Sequence, residues 1–132
     1  MFELKKITKQ YGQTTVLHET TLTVNDGEFF VLIGASGSGK TTLLKLLNRL
    51  IEPTSGTILR NGNPLHDLNL RSLRLDTGYV LQQIALFSNL TVGENIALVP
   101  SMKHIDKNEI RRRSHLWLEK TGLDPLQSHG LI

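Results

Sequence analysis

One short segment constrains the fold of this chain more than any other. Residues 34–41 read Gly-Ala-Ser-Gly-Ser-Gly-Lys-Thr and fit the pattern G-x-x-x-x-G-K-[ST] at every fixed position. The apolar residues 29–33 precede this loop, and leucines at helical spacing follow it. A buried parallel strand that leads through a glycine-rich loop into a helix is the context in which this pattern binds phosphate. The sequence therefore predicts a nucleotide-binding loop in an α/β protein.

The residue types of the loop suit a triphosphate. Glycines let the backbone turn its N–H groups inward where a Cβ would collide or force an unfavourable φ. Lys40 supplies a positive charge for the β- and γ-phosphates, Thr41 offers a hydroxyl to Mg²⁺, and the helix that begins here points its positive end at the same anion. Ser36 and Ser38 are interpreted as loop residues rather than nucleophiles, because no histidine or acid lies near them in sequence. The predicted ATP-binding residues of the loop are Gly34, Ser36, Gly37, Ser38, Gly39, Lys40, Thr41 and Thr42.

Composition excludes several classes of protein. The 132 residues, 39% of them hydrophobic, fit one modest domain or part of a larger one. No apolar run of about 18 residues and no signal-peptide stretch is present, so we expect a cytoplasmic chain. The absence of cysteine excludes disulfides and thiolate metal sites. A net charge of +3 and a basic cluster at 111–113 without interleaved aromatics do not favour a nucleic-acid partner.

Local patterns predict the order of the elements. Asn25-Asp26-Gly27 and Asn61-Gly62 have the chemistry of tight turns. Thr91 with Glu94, and Asp106 with Glu109, have the spacing of a capping box, and Pro100 is expected to end the first of these two helices. The predicted strands are 4–11, 16–24, 28–33, 57–60 and 78–81, and the predicted helices are the one after the phosphate loop, 68–75, 91–98 and 106–121.

With the parts in this order, the sequence closely resembles the ATP-binding subunits of ABC transporters through essentially its entire length. Tyr11 stands where that family has the aromatic ring that stacks on adenine, and residues 52–58 match the family's connection from the loop's helix to the next strand. Residues 78–96 look like the family's Q-loop region. The resemblance implies that Tyr11 stacks on the base of ATP, that Gln82 reaches the Mg²⁺ ion and the attacking water, and that the Q-loop touches a membrane permease. Gln83 is the competing candidate for that role.

A finer resemblance is to importers of quaternary ammonium osmoprotectants such as glycine betaine, carnitine and choline. Residues 47–53 and 95–100 carry it. It implies a chain that lies on the inner face of the cell membrane and pairs with a second nucleotide-binding subunit. Related amino-acid importers, a non-transport ABC ATPase acting on nucleic acid or ribosomes, and a vestigial nucleotide-binding fragment remain open as alternatives.

The 132 residues contain only part of the family's pattern. A Leu-Ser-Gly-Gly-Gln signature, an apolar strand that ends in Asp-Glu, and a later switch histidine are all absent from them. We therefore expect residues 1–132 to be the N-terminal part of one ABC-type P-loop domain, α/β with an antiparallel β subdomain, which ends before those segments. We expect it to bind ATP weakly, to hydrolyse it negligibly alone, and to leave strand 28–33 with one unpaired edge. The histidines are scattered without metal-ligand spacing, at His18, His66, His104, His115 and His129.

Overall fold

A computed structural model describes residues 1–81 and 86–123 of the chain. The chain divides into two compact units, Met1–Thr77 and Gly78–Ile132. The first unit contains a β-sheet with two α-helices, and the described part of the second contains a pair of α-helices.

The first unit is built on a four-stranded sheet in the order β2-β1-β3-β4, in which all neighbours are antiparallel. Strands β1 and β2 form a long hairpin, and β1 lies at the centre of the sheet between β2 and β3. The antiparallel β subdomain expected from the sequence is therefore confirmed. The strands are β1, Phe2–Tyr11; β2, Thr14–Val24; β3, Ser55–Arg60; and β4, Asn63–Pro64.

Helix α1, Lys40–Leu47, buries Leu43 and Leu46 in the same core as one face of the sheet. Leucines at helical spacing produce this apolar stripe, which explains why the segment after the phosphate loop is helical. A single 3-10 turn, Leu65–Asp67, then leads to helix α2, Leu70–Leu75, whose first turn is capped by the Asn69 side chain. The core of the unit consists of Leu4, Ile7, Leu17, Leu43, Leu46, Ile58, Leu65 and Leu73.

Gly56 in β3 allows an unusually close approach of two strands. Its φ is +82°, and a Cβ built on it would lie 2.3 Å from the carbonyl oxygen of Lys6 and 2.5 Å from that of Lys5. The pairing of β1 with β3 shifts register at this point, between Lys5 and Thr8. Only glycine combines this backbone conformation with this spacing.

The second unit contains helix α3, Val92–Met102, and helix α4, Lys107–Lys120. Thr91 and Glu94 form the predicted capping box in both directions at the start of α3. The prediction that Pro100 ends this helix is wrong, because α3 continues to Met102. A proline in the last turn removes one backbone donor, while the Pro100 carbonyl still accepts hydrogen bonds from the N–H groups of Lys103 and Ile105.

Only one of the two hydrogen-bonding halves of the predicted capping box forms at the start of α4. The Asp106 side chain accepts hydrogen bonds from the backbone of Asn108 and Glu109. The Glu109 carboxylate instead binds Arg112 and Arg113 at 2.6–2.8 Å. These two guanidinium groups hold the pKa of Glu109 at about 2, below its ordinary value of 4.5. Among the described residues, no helix is long and apolar enough to cross a membrane.

Two predicted strands, 28–33 and 78–81, are absent. Neither segment forms a ladder with any described residue. Phe29, Ile33 and Val80 are more than 90% exposed. An apolar run predicts burial, but a strand also needs a neighbour that supplies backbone hydrogen bonds. The expectation that 28–33 would be a strand with a single unpaired edge is therefore wrong, since neither of its edges is paired within the described part of the chain.

Candidate functional site

The loop between residue 33 and α1 has the backbone geometry of an anion cradle. Gly37 and Gly39 have φ values of +80° and +88°, which non-glycine residues rarely adopt. The Ser38 N–H donates to the Ala35 carbonyl at 3.2 Å and closes the turn. Gly39 is the N-cap of α1 and offers no side chain to its first turn. The N–H groups at this helix end have no partner within the helix, so they suit an anion.

Space is limited at two of the loop's glycines, Gly34 and Gly39, whereas a Cβ on Gly37 would meet nothing within 4 Å. A Cβ on Gly34 would lie 2.6 Å from the Ser38 Oγ. One on Gly39 would lie 3.0 Å from the Val16 carbonyl oxygen in β2. The end of the loop thus packs closely against the β1–β2 hairpin.

Lys40 places its ammonium inside the loop. Its Nζ donates to the carbonyl oxygens of Gly34 and Ala35, both at 2.7 Å, and to the Ser38 Oγ at 3.2 Å. These contacts use all three N–H donors of the ammonium and join the start of the loop to its end. The positive charge of Lys40 therefore lies within the glycine-rich loop.

The remaining predicted loop residues are accessible. Ser36 and Thr41 are exposed, and Thr42 is half-buried in the first turn of α1. The Thr41 hydroxyl suits one ligand position of a hard cation such as Mg²⁺. Within residues 1–81 and 86–123, no group of three or more His, Asp or Glu side chains could hold a metal ion. The described residues therefore fit Mg²⁺ through one hydroxyl, with the triphosphate as the other source of oxygen ligands.

A cavity of about 490 Å³ adjoins Lys40 and Thr41. Its other walls are apolar side chains of residues 29–32, of the β1–β2 hairpin and of α1. Such walls suit apolar side chains and not a triphosphate, because burying charge against hydrocarbon is costly. The cavity is therefore a poor candidate for the phosphate site, and the glycine loop remains the predicted one.

Tyr11 lies at the end of β1, in the hairpin that packs against Gly39. Its side chain is 52% exposed, and the Lys9 Nζ lies 4.9 Å from the centre of its ring. The structure thus places Tyr11 and the loop in the same unit. Gln82 and its competitor Gln83 lie outside the described residues.

Sequence reasoning missed Lys9. Its Nζ donates to the Glu52 carbonyl oxygen at 2.7 Å while it lies over the Tyr11 ring. The signal that was available is the strand period of two, which puts Lys9 and Tyr11 on the same face of β1. The contact with Glu52, which is 43 residues away in sequence, has no local signature.

Comparison with known proteins agrees with this geometry. The family described as "ABC transporter" matches residues 17–131. The osmoprotectant import ATP-binding protein OsmV of Salmonella typhimurium is 43% identical in an alignment of length 129 that covers 94% of this chain and 34% of that protein. The spermidine/putrescine import ATP-binding protein PotA of Legionella pneumophila (strain Philadelphia 1) is 42% identical over 131 residues, 99% of this chain and 35% of that protein. The chain thus spans about a third of the length of these curated relatives.

The fold agrees with that of solved ATP-binding cassettes. A dimeric cassette in a post-hydrolysis state bound to ADP and Pi superposes with a TM-score of 0.84 and 31% identity, over 99% of this chain and 61% of that one. The family match, the sequence identities and the loop geometry all point to one class of protein. The chain therefore belongs to the ABC transporter family of ATP-binding proteins and has the α/β P-loop fold of an ABC ATPase cassette.

Proposed function

We propose that residues 1–132 are the nucleotide-binding N-terminal part of one ATP-binding domain of an ABC importer. The observation that carries the proposal is the loop of residues 34–39, with two glycines at positive φ and the Lys40 ammonium between its ends. In the proposed complex, loop N–H groups and Lys40 hold the β- and γ-phosphates, and Lys40 exchanges at least one of its three contacts within the loop for a phosphate oxygen. Thr41 and Gln82 hold Mg²⁺, and Tyr11 stacks on the adenine. The bound Mg²⁺ would neutralise phosphate charge.

The remaining loop residues have supporting roles in this proposal. Gly34, Gly37 and Gly39 keep the backbone close to the phosphates, and the side chains of Ser36, Ser38 and Thr42 add hydrogen bonds near them. Gln82 positions the attacking water in the complete domain. Residues 1–132 alone are proposed to bind ATP with negligible turnover, because Thr41 and Gln82 leave the ion and the water with few ligands.

The decisive experiment is ATP binding by the 132-residue chain, measured by isothermal titration calorimetry with Mg²⁺ present. We expect Lys40→Ala to weaken binding at least tenfold, since a charge-assisted contact to phosphate contributes about 1.5–3 kcal/mol. Lys45→Ala is the matched control, because Lys45 is an exposed lysine in the last turn of the same helix. Equal affinities of the two variants, or no binding by the unchanged chain, would refute the proposed site.

The proposed transport substrate is a quaternary ammonium osmoprotectant. Residues 47–53 and 95–100, together with the 43% identity to an osmoprotectant import protein, support this class. The 42% identity to a polyamine import protein makes spermidine and putrescine the competing class. Disruption of the gene in the source organism should therefore lower uptake of radiolabelled glycine betaine or choline and leave spermidine uptake unchanged. The reverse result would overturn the substrate class without affecting the ATP site.

The proposed partners are a membrane permease and a second nucleotide-binding subunit, and the proposed location is the cytoplasmic face of the membrane. The importer relatives and the dimeric solved cassette support both partners. In this proposal the Q-loop region around Gln82 contacts the permease. Affinity purification of the tagged natural protein from membranes should yield a permease. Recovery of ribosomes or nucleic acid in its place would favour the non-transport class.

A further inference from the structure

We propose that Lys9 is a positioning residue for adenine recognition, which acts by holding the Tyr11 ring. This inference rests on the proposed function, in which Tyr11 stacks on the base. Lys9 itself is not proposed to touch the nucleotide.

The first observation is the placement of the Lys9 ammonium over the aromatic ring. The distance from Nζ to the ring centre is 4.9 Å, within the range of a cation–π contact. One face of the ring is therefore engaged by Lys9, while 52% of the Tyr11 surface remains exposed. A planar base needs one ring face, so a cation on the opposite face does not compete with stacking.

The second observation is that the ammonium is itself anchored. Its hydrogen bond to the Glu52 carbonyl oxygen is 2.7 Å long. The Glu52 carboxylate in turn binds the Nε of Arg49 at 3.0 Å, and Arg49 follows the end of α1. A surface lysine normally samples many rotamers, whereas the contacts of Lys9 with a backbone carbonyl and a ring favour one of them.

The backbone around Lys9 is tied to the same segment. The Thr54 N–H donates to the Thr8 carbonyl oxygen at 2.9 Å, and the Gln10 N–H donates to the Thr54 Oγ1 at 2.9 Å. These hydrogen bonds hold the backbone of the strand end that carries Tyr11. The contact with Lys9 then restricts the orientation of the Tyr11 side chain. A ring held in its stacking orientation loses less conformational entropy when a base binds.

The experiment separates the base from the phosphates. Calorimetry with Mg²⁺ measures the affinity of the 132-residue chain for ATP and for inorganic tripolyphosphate, which carries the phosphates without a base. In Lys9→Met we expect ATP affinity to fall about two- to fivefold, the lower part of the cost of ordering one side chain on binding, with tripolyphosphate affinity unchanged. Lys9→Arg should restore the ratio of ATP affinity to tripolyphosphate affinity to that of the unchanged chain, because a guanidinium also stacks on aromatic rings.

The controls test whether Lys9 acts through Tyr11. Lys5→Met removes an exposed lysine from the same strand and should leave the ratio unchanged. Tyr11→Leu should lower the ratio, and adding Lys9→Met to it should produce no further change. An equal fall for both ligands, an unchanged ratio in Lys9→Met, or an additional fall in the double variant would overturn the positioning role.

The same measurements distinguish failure of the proposed function from failure of the role of Lys9. If the unchanged chain binds neither ligand, the phosphate site itself is wrong. If it binds both with equal affinity, or if Tyr11→Leu keeps the full preference for ATP, stacking on Tyr11 is refuted and the role of Lys9 falls with it.

Discussion

Gly56→Ala provides the sharpest test of how the sheet is built. Two separate costs act at this position, the positive φ of +82° and the approach of the new Cβ to within 2.3 Å of the Lys6 carbonyl oxygen. Gly62 offers a matched control, because its φ is +79° and nothing lies within 4 Å of a Cβ built there. Gly62→Ala therefore carries the conformational cost alone, and the difference between the two variants isolates the steric cost.

The magnitudes follow from these two costs. An alanine at positive φ costs about 1–2 kcal/mol, which is the whole effect expected for Gly62→Ala. In Gly56→Ala the neighbouring strand must also move by about 1 Å to restore an ordinary contact, and overpacking of this kind costs a further 1–3 kcal/mol or so. We expect Gly56→Ala to lower the free energy of unfolding by about 2–5 kcal/mol, a large share of the 5–15 kcal/mol or so typical of a domain.

Urea unfolding followed by circular dichroism in the β-sheet region measures this difference. All strands in the described residues lie between Phe2 and Pro64, so the signal reports on the unit that contains Gly56. With an m value of about 1–3 kcal/mol per molar urea, the midpoint of Gly56→Ala should fall roughly 1 M below that of Gly62→Ala. Coincident midpoints would show that β1 and β3 do not approach each other as closely as the structure indicates.

Two further outcomes are expected. Leu46→Ala should destabilise the first unit by about 2–5 kcal/mol, because Leu46 is fully buried. Leu44 is 44% exposed on the same helix, so Leu44→Ala should destabilise the unit by less than about 1 kcal/mol. Urea unfolding of the two variants measures this difference. Because the folded pKa of Glu109 is lowered to about 2, its pairing with Arg112 stabilises α4 fully above pH 4.5 or so and is lost as pH falls through about 2. Fluorescence of the chain's one tryptophan, Trp117 in α4, should therefore show an acid-dependent fall in unfolding midpoint that is smaller in Glu109→Gln, and identical acid profiles would contradict this.

Much of the first unit, and the helix caps of the second unit, could be predicted from local chemistry. The glycine positions of the phosphate loop, the strand alternation of β1 and β2, and the caps at Thr91 and Asp106 each depend on residues a few positions apart. Such signals survive in a single sequence because neighbouring residues interact whatever the rest of the fold does.

The two strands that do not form are errors that arise where structure depends on distant residues. Segments 28–33 and 78–81 have strand-like composition, but pairing is a property of two segments and cannot be read from one. The error at Glu109 has a local cause. Its carboxylate can accept hydrogen bonds either from the backbone at the helix N-terminus or from two arginines on the next turn, and it binds the arginines. Charge-assisted pairing prevailed over the second half of the capping box.

The connection after α1 has a structural role in the first unit. Residues 52–58 mark the resemblance to ABC subunits, yet the contacts they make in the first unit are structural. Glu52 and Thr54 hold the strand end that carries Tyr11, while Gly56 sets the spacing of β1 and β3. A substitution at Gly56 should therefore weaken ATP binding only as far as it unfolds the unit, whereas one at Lys9 should change base preference in a folded protein. Measuring stability and the ATP-to-tripolyphosphate ratio on the same variants separates these two ways of losing a site.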